Sequence, residues 1–352
     1  VNACDSGREG ELIFRFVYEQ AKCSKPFTRL WISSMEDSAI REGFSKLKDG
    51  REYDNLYHSA LCRTKADWLI GINATRLFSI LYHKTLNVGR VQTPTLDMIV
   101  KRNYAIENFK KEKYYIVRLQ MDGVTALSDK LTEEEAAQEM EAACKQAQAV
   151  CTSLKKEKKT VSPPKLFDLT SLQREANRLF GFTAKQTLDY VQSLYEKKLA
   201  TYPRTDSQYL TEDMQATAAS LVLWLREHMP FGKGCTREPD IDRVTDGSKV
   251  TDHHAIIPTV EIARTDLSEL PSGERDVLTL IAARLLSATV QAHRFEAVTA
   301  VLDCQGNSFT AKGKTVLQAG WKEVERLYRM GLKESKPEDD ENMDASLPML
   351  QE

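Results

Sequence analysis

The chain has 352 residues, 41% of them hydrophobic and 28% charged, which is the composition of a soluble globular protein of about two to four domains. No apolar run approaches about 18 residues, which excludes a membrane-spanning helix. The seven cysteines form no C-x-x-C pair, so reduced thiols in a cytosolic protein fit better than a disulfide framework or structural zinc.

The chain opens on an acidic connection. Residues 1–11 predict the end of a strand followed by a turn, and residues 12–21 predict a helix. Carboxylates at Asp5, Glu9 and Glu11 crowd this connection. Such a cluster suits Mg²⁺, which takes few carboxylates together with waters and phosphate oxygens. The alternative is that these acids only stabilise the amino end of the helix.

The following elements change from an α/β pattern to a helical one. Residues 28–32 predict a strand, and residues 36–47 predict an amphipathic helix. Residues 55–76 and 96–103 then show helical patterns. The sequence therefore predicts a small α/β portion followed by a helical portion.

The helical portion is basic. Residues 61–103 contain two acidic residues and seven basic ones, Arg63, Lys65, Arg76, Lys84, Arg90, Lys101 and Arg102. Inside this region, residues 87–96 read Asn-Val-Gly-Arg-Val-Gln-Thr-Pro-Thr-Leu and combine a cation, an amide and hydroxyl groups. A basic region on a nearly neutral protein indicates a nucleic-acid groove, and a solvated helix face is the alternative.

Two strand-rich segments come next and are far apart in the chain. Residues 114–119 alternate at short period, and residues 295–317 are strand-like with turns at Gly306 and Gly313, so we expect the two segments to pair. Residues 155–165, Lys-Lys-Glu-Lys-Lys-Thr-Val-Ser-Pro-Pro-Lys, predict a basic, proline-containing linker between them.

A helical block from residue 168 to about residue 293 is inserted between the two strand-rich segments. Thr170 and Thr183 stand where helix amino-caps are expected, and Gly181 fits a carboxy-cap. This spacing predicts a helix-turn-helix-like pair that leads into a strand carrying Tyr202.

Residues 199–207, Leu-Ala-Thr-Tyr-Pro-Arg-Thr-Asp-Ser, place a tyrosine hydroxyl two residues from a guanidinium. Phenol has a pKa near 10, so Tyr202 needs neighbours that stabilise the charge it creates before it can act as a nucleophile. Arg204 supplies a planar, always-charged fork that matches phosphate oxygens. The pair suggests phosphoryl transfer onto tyrosine; the alternative is a loop tyrosine beside a solvated arginine. Residues 251–259, Thr-Asp-His-His-Ala-Ile-Ile-Pro-Thr, add two histidines.

These four segments, in this order, resemble the type IA DNA topoisomerases from residue 1 to about residue 321. The acidic connection resembles the second half of the family's Toprim metal motif, and the tyrosine segment resembles its active-site signature. The resemblance implies a multidomain α/β plus mostly α fold, in which a partial Toprim domain, helical domains and a small β-rich hinge domain form a toroidal core. We expect the divisions 1–50 (Toprim), 51–110 and 318–332 (helical), 111–166 and 293–317 (hinge), 167–292 (inserted, with the tyrosine) and 333–352 (an acidic, disordered tail).

The resemblance also assigns roles. Tyr202 is expected to be the nucleophile, with Arg204, His253 and Glu9 completing the catalytic set. His254 is the weaker of the two histidines, and a capping or packing role beside Pro258 is the alternative for both. Mg²⁺ is the expected cofactor, with Asp5, Glu9 and Glu11 as its ligands. The residues expected to contact single-stranded DNA are Arg63, Asp67, Arg90, Gln92 and Thr93.

Three of these assignments have alternatives or departures. Arg63 and Asp67 are four residues apart and could instead form an internal ion pair on one helix. Trp68 is either a base-stacking platform or, more readily, a core aromatic. Gly7 stands where the commoner Asp-x-Asp-x-Glu pattern has its middle acid. The family's first Toprim glutamate should lie upstream of Val1, so we expect these 352 residues alone not to relax plasmid.

The sequence thus predicts an enzyme that cuts one DNA strand through a 5′-phosphotyrosine, passes a strand and reseals it without ATP. Its DNA would be single-stranded or negatively supercoiled, and the reaction would relax or decatenate it. We expect a monomer in the bacterial cytoplasm, at the nucleoid, with no membrane contact. The alternatives are a single-strand-binding protein without cleavage and another Toprim-containing nuclease.

Overall fold

The computed structural model describes residues 1–121, 123–235 and 237–332. The chain divides into two compact units, Val1–Glu112 and Lys113–Glu352. The predicted acidic tail, residues 333–352, lies outside the described residues. Within the described ranges, no helix is both long and apolar enough to span a bilayer.

The first unit is mostly helical. Its elements are α1 (Arg8–Gln20), β1 (Thr28–Arg29), α2 (Asp37–Ser45), β2 (Lys48–Asp49), α3 (Asp54–Tyr82) and α4 (Gln92–Glu107). All four predicted helices are therefore present, and α3 continues beyond its predicted end to His83, whose φ of 52° turns the chain into the left-handed region. The predicted strand is reduced to the two residues of β1, which pair with β2.

The described core of this unit is small. Leu12, Tyr57 and Ala60 are buried where α1 packs on α3, and they form a cluster of buried apolar side chains with Leu61 packed against it. Much of α3 and α4 instead exposes apolar side chains, including Trp68, which is 62% exposed. The interpretation of Trp68 as a core aromatic is therefore wrong for this structure. Apolar surfaces of this extent normally contact another macromolecule.

The second unit contains an antiparallel five-stranded sheet with the strand order β3-β4-β7-β6-β5. Its strands are β3 (Arg118–Met121), β4 (Val124–Ser128), β5 (Val150–Val161), β6 (His293–Cys304) and β7 (Asn307–Gln318), and α5 (Glu134–Cys144) precedes β5. The expected direct pairing of residues 114–119 with residues 295–317 is wrong, since β3 pairs with β4. The two segments belong to one sheet, which the β4–β7 and β5–β6 ladders complete.

The predicted linker at residues 155–165 is wrong over most of its length. Residues 155–161 belong to β5, which pairs with β6 from Val150 to Val161. β5 is an edge strand, and lysines on an edge strand discourage pairing with other chains, so a lysine-rich run is compatible with this position. Charge and prolines suggested a linker, but the long partner strand β6 decided the conformation.

The helical block supplies the main core. It contains α6 (Leu169–Phe180), α7 (Ala184–Glu196), α8 (Gln215–His228) and α9 (Ser272–Thr289), and α10 (Trp321–Gly331) packs against it after the sheet. α9 is the central helix, since Val277, Leu278, Ile281 and Leu285 along it are all fully buried.

The caps of α6 and α7 were only partly predicted. Thr183 caps α7, with its hydroxyl accepting from Gln186 N at 3.2 Å, and Gly181 ends α6 at φ 72°. The cap of α6 is Asp168 and not Thr170, because the Asp168 carboxylate accepts from the Ser171 amide at 2.6 Å. The Asp168 carboxylate accepts a hydrogen bond from a backbone amide of the first helical turn, which has no carbonyl partner within the helix. Thr170 therefore lies inside that first turn and is not the cap.

Candidate active site and nucleic-acid contacts

The segment before Tyr202 is held by hydrogen bonds to the histidine segment. Ala200 forms an isolated antiparallel bridge with Pro258. The Thr201 amide donates to the Ile257 carbonyl at 3.0 Å, and the Thr201 hydroxyl accepts from the Ile257 amide at 3.0 Å. The same hydroxyl donates to the Ala255 carbonyl at 3.2 Å. These bonds fix the position of the tyrosine backbone relative to residues 251–259.

The segment after Tyr202 is fastened to the same partner. The Thr205 hydroxyl donates to the His253 carbonyl at 2.7 Å and accepts from the Ser207 amide at 3.1 Å. The Thr251 hydroxyl donates to the Asp206 carboxylate at 3.1 Å. The expected strand carrying Tyr202 is absent, since residues 201–209 have no strand conformation. Hydrogen bonds of side-chain hydroxyls take the place of a backbone strand ladder here. The tyrosine side chain in this irregular segment is half-buried.

The two predicted motifs bring their rings together. The Tyr202 ring centroid lies 4.3 Å from that of His253, with the planes tilted by 41°. Tyr195, on α7, contacts Tyr202 edge-to-face at 5.4 Å. Tyr202 and His253 are both half-buried, so each ring has a packed side and a solvent side. The tyrosine ring is therefore held between the rings of Tyr195 and His253.

His254 points into the protein. Its Nδ1 lies 2.8 Å from the Ala255 carbonyl, and burial lowers the pKa of its imidazole below the ordinary 6.5. This burial disfavours the charged imidazolium.

Arg204 is exposed two residues beyond the tyrosine, after the buried Pro203. Within the described ranges, its guanidinium forms no hydrogen bond or ion pair. A free guanidinium fork beside a tyrosine can accept a phosphate without first breaking a protein contact.

Sequence reasoning missed the residues that position these groups. Tyr195, Thr201 and Thr205 flank or contact the tyrosine, and all three lie within the quoted signature or directly before it. The two threonines at positions −1 and +3 from the tyrosine are the signal that could have indicated hydroxyl bonds to a second segment.

The acidic connection separates into one structural carboxylate and two exposed ones. Glu11 is fully buried, and its oxygens lie 3.1 Å from Arg29 Nε, 2.9 Å from Arg15 Nε and 2.8 Å from Asn2 Nδ2. Burial lowers the pKa of Arg29, and Glu11 opposes that shift. The expectation that Glu11 is a metal ligand is corrected by this arrangement, because both of its oxygens are engaged inside the unit.

Asp5 and Glu9 remain exposed at the amino end of α1. A Cβ at Gly10 would lie 2.2 Å from the Asp5 carbonyl oxygen, so only glycine lets the helix begin this close to the acidic turn. Two carboxylates are the number that Mg²⁺ uses when waters and phosphates complete its shell, so this donor set fits the ion. Among the described residues, no group of three or more His, Cys, Asp or Glu side chains could hold a metal by itself.

The expected DNA-binding residues of the first unit are held by exposed ion pairs. Arg63 donates to Glu9 at 2.8 Å, and Arg90 donates to Asp67 at 2.9 Å. The alternative of an internal Arg63–Asp67 pair is therefore not realised, since each residue has another partner.

Gln92 and Thr93 form the first turn of α4. The Thr93 hydroxyl accepts from the Gly89 amide at 3.0 Å, which fixes the turn before the helix. A cleft of about 350 Å³ lies between α3 and this turn, and Trp68, Arg76 and Gln92 are among its lining residues. The structure thus brings Asp67, Arg90 and Gln92 to one side of α3 and leaves an aromatic ring beside them.

Comparisons with known proteins agree with the motifs. A family model described as DNA topoisomerase matches residues 51–352. The chain is 44% identical to DNA topoisomerase 3 of Bacillus subtilis strain 168 over 100% of this chain and 49% of that protein. It is 42% identical to DNA topoisomerase 3 of Bacillus licheniformis over 99% of this chain and 49% of that protein. The chain therefore spans about half the length of these relatives.

The fold has a solved counterpart. The structure of full-length topoisomerase I from Thermotoga maritima superposes with a TM-score of 0.73 at 23% sequence identity, covering 99% of this chain and 56% of that one. Such a likeness concerns the arrangement of helices and strands.

Proposed function

We propose that this chain, which belongs to the DNA topoisomerase family, carries the strand-cleaving centre of a type IA enzyme. The observation that supports this most is the pairing of two distant motifs around one tyrosine. Tyr202 packs at 4.3 Å against His253, and the unpartnered Arg204 fork stands two residues away. A tyrosine, an imidazole and a guanidinium are the groups that attack on a phosphodiester needs.

In the proposed reaction the Tyr202 phenolic oxygen attacks a DNA phosphorus, and the bond between phosphorus and the 3′-oxygen breaks. The phenolic proton leaves the tyrosine, and the departing 3′-oxygen takes up a proton. Arg204 binds the non-bridging oxygens, whose charge increases in the transition state. His253 fixes the tyrosine ring and lies close enough to contact the same phosphate. Because a phosphotyrosine ester replaces the broken diester, religation is the reverse reaction and needs no ATP.

Asp5 and Glu9 are the residues that would hold Mg²⁺, which supplies charge neutralisation for the DNA phosphates. Glu9 is also the partner of Arg63, so an ion there would release that arginine toward DNA. In the same way, Arg90 would exchange the Asp67 carboxylate for a phosphate. Gln92 and Thr93 then contribute an amide and a helix amino end beside the strand.

The finer architecture is part of the proposal. Residues 1–50 are proposed as the carboxy-terminal part of a Toprim domain, and the five-stranded sheet as the hinge of a toroidal core. We further propose that the complete protein is a monomer at the bacterial nucleoid that relaxes or decatenates DNA. The 352 residues alone are proposed to bind single strands without relaxing plasmid, since Asp5 and Glu9 are the exposed carboxylates of the acidic connection and Gly7 stands in place of a third acid.

A single-strand-binding role without cleavage is the second candidate. The exposed Arg63 and Arg90 ion pairs and the open cleft beside Trp68 support binding independently of Tyr202. The two candidates differ only in whether a covalent bond forms.

The test uses a single-stranded oligonucleotide in which sulfur replaces one bridging 3′-oxygen, with the sulfur placed at successive linkages in a set of strands. A thiolate leaves without being protonated because thiols are far more acidic than alcohols. The adduct should then form without a separate acid catalyst and accumulate, because a thiolate reverses the reaction poorly. With Mg²⁺ present, we expect a protein–DNA band on a denaturing gel.

Tyr202→Phe should abolish this band, whereas Tyr195→Phe should keep it, because Tyr195 contributes a ring and not the attacking oxygen. Equal adduct in Tyr202→Phe would remove Tyr202 as the nucleophile. Single-strand binding with no adduct at any sulfur position would support the second candidate.

A further inference from the structure

The strand register divides the side chains of the five-stranded sheet between two faces. Residues that pair across neighbouring strands lie on the same side of a sheet. One face of the sheet, here named the open face, therefore carries three rows of paired residues. They are Lys155–Thr299–Lys312, Glu157–Ala297–Lys314 and Lys159–Phe295–Val316. The row Arg118–Leu127–Thr310–Val301 lies on the same face.

The other face is the covered face. It carries the row Ala126–Ala311–Ala300–Leu154, whose alanines are completely buried. α5 packs here through Met140 and Cys144, and the Cys144 thiol lies 3.3 Å from the Cys304 carbonyl. The covered face is therefore buried where α5 packs and exposed at Lys156 and Lys158. On the open face, Lys155, Lys159 and Lys312 are exposed.

Charge is distributed unequally between the two sides. The open face carries five cations, Arg118, Lys155, Lys159, Lys312 and Lys314. Its acidic residues are Glu157 and Asp303, and the Asp303 carboxylate already accepts from the Gly306 amide in the β6–β7 turn at 3.2 Å. The covered face carries Lys156, Lys158 and Glu296 on its strands. On the same side, α5 exposes the glutamates Glu134, Glu135, Glu139 and Glu141.

Small side chains lie between the cations of β5 and those of β7. Thr299 and Ala297, on β6, separate the two sets of lysines. Strands in a sheet are about 4.8 Å apart, so Lys155 and Lys312 stand about 10 Å from each other across β6. Lys155 and Lys159 both form exposed ion pairs with Glu157, at 2.5 and 3.7 Å. Exposed pairs of this kind are weak, so these ammonium groups can exchange the carboxylate for the phosphates of a polyanion.

We propose that the open face binds the phosphate backbone of a DNA duplex, as a site separate from Tyr202 and from the basic region of the first unit. Proteins that hold single strands combine cations with exposed aromatic rings on which bases stack. The aromatic residue on this face, Phe295, is half-buried and stacks on His293 at 5.3 Å. Cations without a stacking platform contact backbone and not bases, which fits a duplex whose bases are already paired.

This site rests on the proposed function only in taking DNA as its ligand. It adds a second DNA segment to the one that is cut, which is what a strand-passing protein must manage. Its failure would leave the role of Tyr202 untouched, because the two are read out by different measurements.

The experiment compares two double variants of the protein, both with substitutions in strand β5. Lys155→Ala/Lys159→Ala removes two open-face charges, and Lys156→Ala/Lys158→Ala removes two charges from the opposite face of the same strand. Each is added to a fluorescein-labelled blunt duplex, and anisotropy gives the affinity at several salt concentrations. The whole chain is used in every case.

We expect the open-face variant to weaken duplex binding about tenfold at moderate salt and to lower the salt slope by about 2, as for two lost phosphate contacts. The opposite-face variant should bind the duplex as the original chain does. Lys312→Ala/Lys314→Ala, on the central strand β7, should reproduce the loss, and thermal melting checks that the variants are folded.

Equal losses in the two β5 variants would show that overall charge and not the open face binds DNA, and would overturn the proposal. Unchanged duplex affinity in both open-face variants would overturn it as well. A loss confined to a single-stranded oligonucleotide would remove the duplex as the occupant. The sulfur-substituted strand should still trap Tyr202 in the open-face variants, so failure of the cleavage proposal is seen separately.

Discussion

The tyrosine site and the basic motif of the first unit are built by different means. Around Tyr202, backbone carbonyls and threonine hydroxyls join two segments about fifty residues apart, and the flanking residues Ala200 and Ile257 are buried. Around Arg90, one ion pair joins side chains that are 52% and 38% exposed. The first arrangement fixes atoms in place, and the second can be exchanged.

This difference matches what each region is proposed to do. A reacting group must stay within a fraction of an ångström of its productive position, which backbone bonds in a core can ensure. A contact to a moving strand must form and break, and exposed ion pairs typically contribute only about 0–1 kcal/mol. The carboxylates of Glu9 and Asp67 therefore occupy positions that a phosphate can take over at little cost.

The largest effect is expected where an ion pair of the first unit is buried instead of exposed. Arg29→Met would leave Glu11 with one cationic partner fewer in a buried site and should lower the free energy of unfolding of this unit by about 3 kcal/mol or more. Arg51→Met, which removes an exposed pair with Asp49, should change it little, because solvent screens this pair. Urea unfolding followed by hydrogen exchange within residues 1–112 measures both. Similar small effects would mean that burial does not distinguish these pairs.

The next effect concerns the hydroxyl bonds of the tyrosine site. Thr205→Val removes the bonds to the His253 carbonyl and from the Ser207 amide, and should destabilise the second unit by about 1–3 kcal/mol. The same substitution at Thr211, whose buried hydroxyl oxygen has no hydrogen-bond partner, should be neutral or stabilising. Thermal unfolding gives both values, and the sulfur-strand assay should show less adduct only for Thr205→Val. A stable Thr205→Val protein with full adduct yield would contradict positioning by hydroxyl bonds.

A smaller effect tests whether the exposed ion pairs give way to DNA. Arg90→Ala should weaken single-strand binding several-fold and lower the salt slope by about 1, more than Lys84→Ala, which lies outside the motif. Asp67→Asn should strengthen binding, because it removes the carboxylate that occupies Arg90. Salt titrations with a labelled oligonucleotide give the slopes. A larger loss in Lys84→Ala would place the groove elsewhere.

The smallest effect is a pH dependence of stability. Burial lowers the pKa of His254 below its ordinary 6.5, so the folded protein binds this proton less readily than the unfolded chain. The contribution of His254 to the free energy of unfolding is therefore complete above the pKa that this histidine has in the unfolded chain. This contribution is lost as pH falls from about 6.5 toward the pKa in the folded protein. His254→Gln should flatten the decline in melting temperature between about pH 7 and pH 5. His228→Gln, at an exposed histidine, is the control, and equal flattening there would contradict the assignment.

Several features followed from the sequence because their causes are local or chemical. Thr183 and Gly181 could be predicted as caps, since capping involves residues three or four apart. The apolar periodicity of α1 to α4 predicted those helices. The order of four motifs identified the family, and it pointed to Tyr202 and His253, which the structure places in contact.

Other features depended on partners far along the chain. The sequence places Glu11 close to Asp5 and Glu9, and this spacing suggested that all three bind a metal ion. In the folded unit, Glu11 instead contacts Arg29 and Asn2 in the interior. Residues 155–161 carry linker composition, yet hydrogen bonding to β6 makes them an edge strand. The open face of the sheet exists only because this strand alternates its lysines between two sides.

The sequence by itself therefore determined the family, the chemical groups available and most of the helices, because these depend on residue identity and on spacings of a few residues. Only the tertiary structure decided which carboxylate is buried, which threonine hydroxyls hold Tyr202 against His253, and which lysines share a face. Burial, register and hydrogen-bond pairing join residues tens of positions apart, and the free energy of each contact appears only when the chain has brought both partners together.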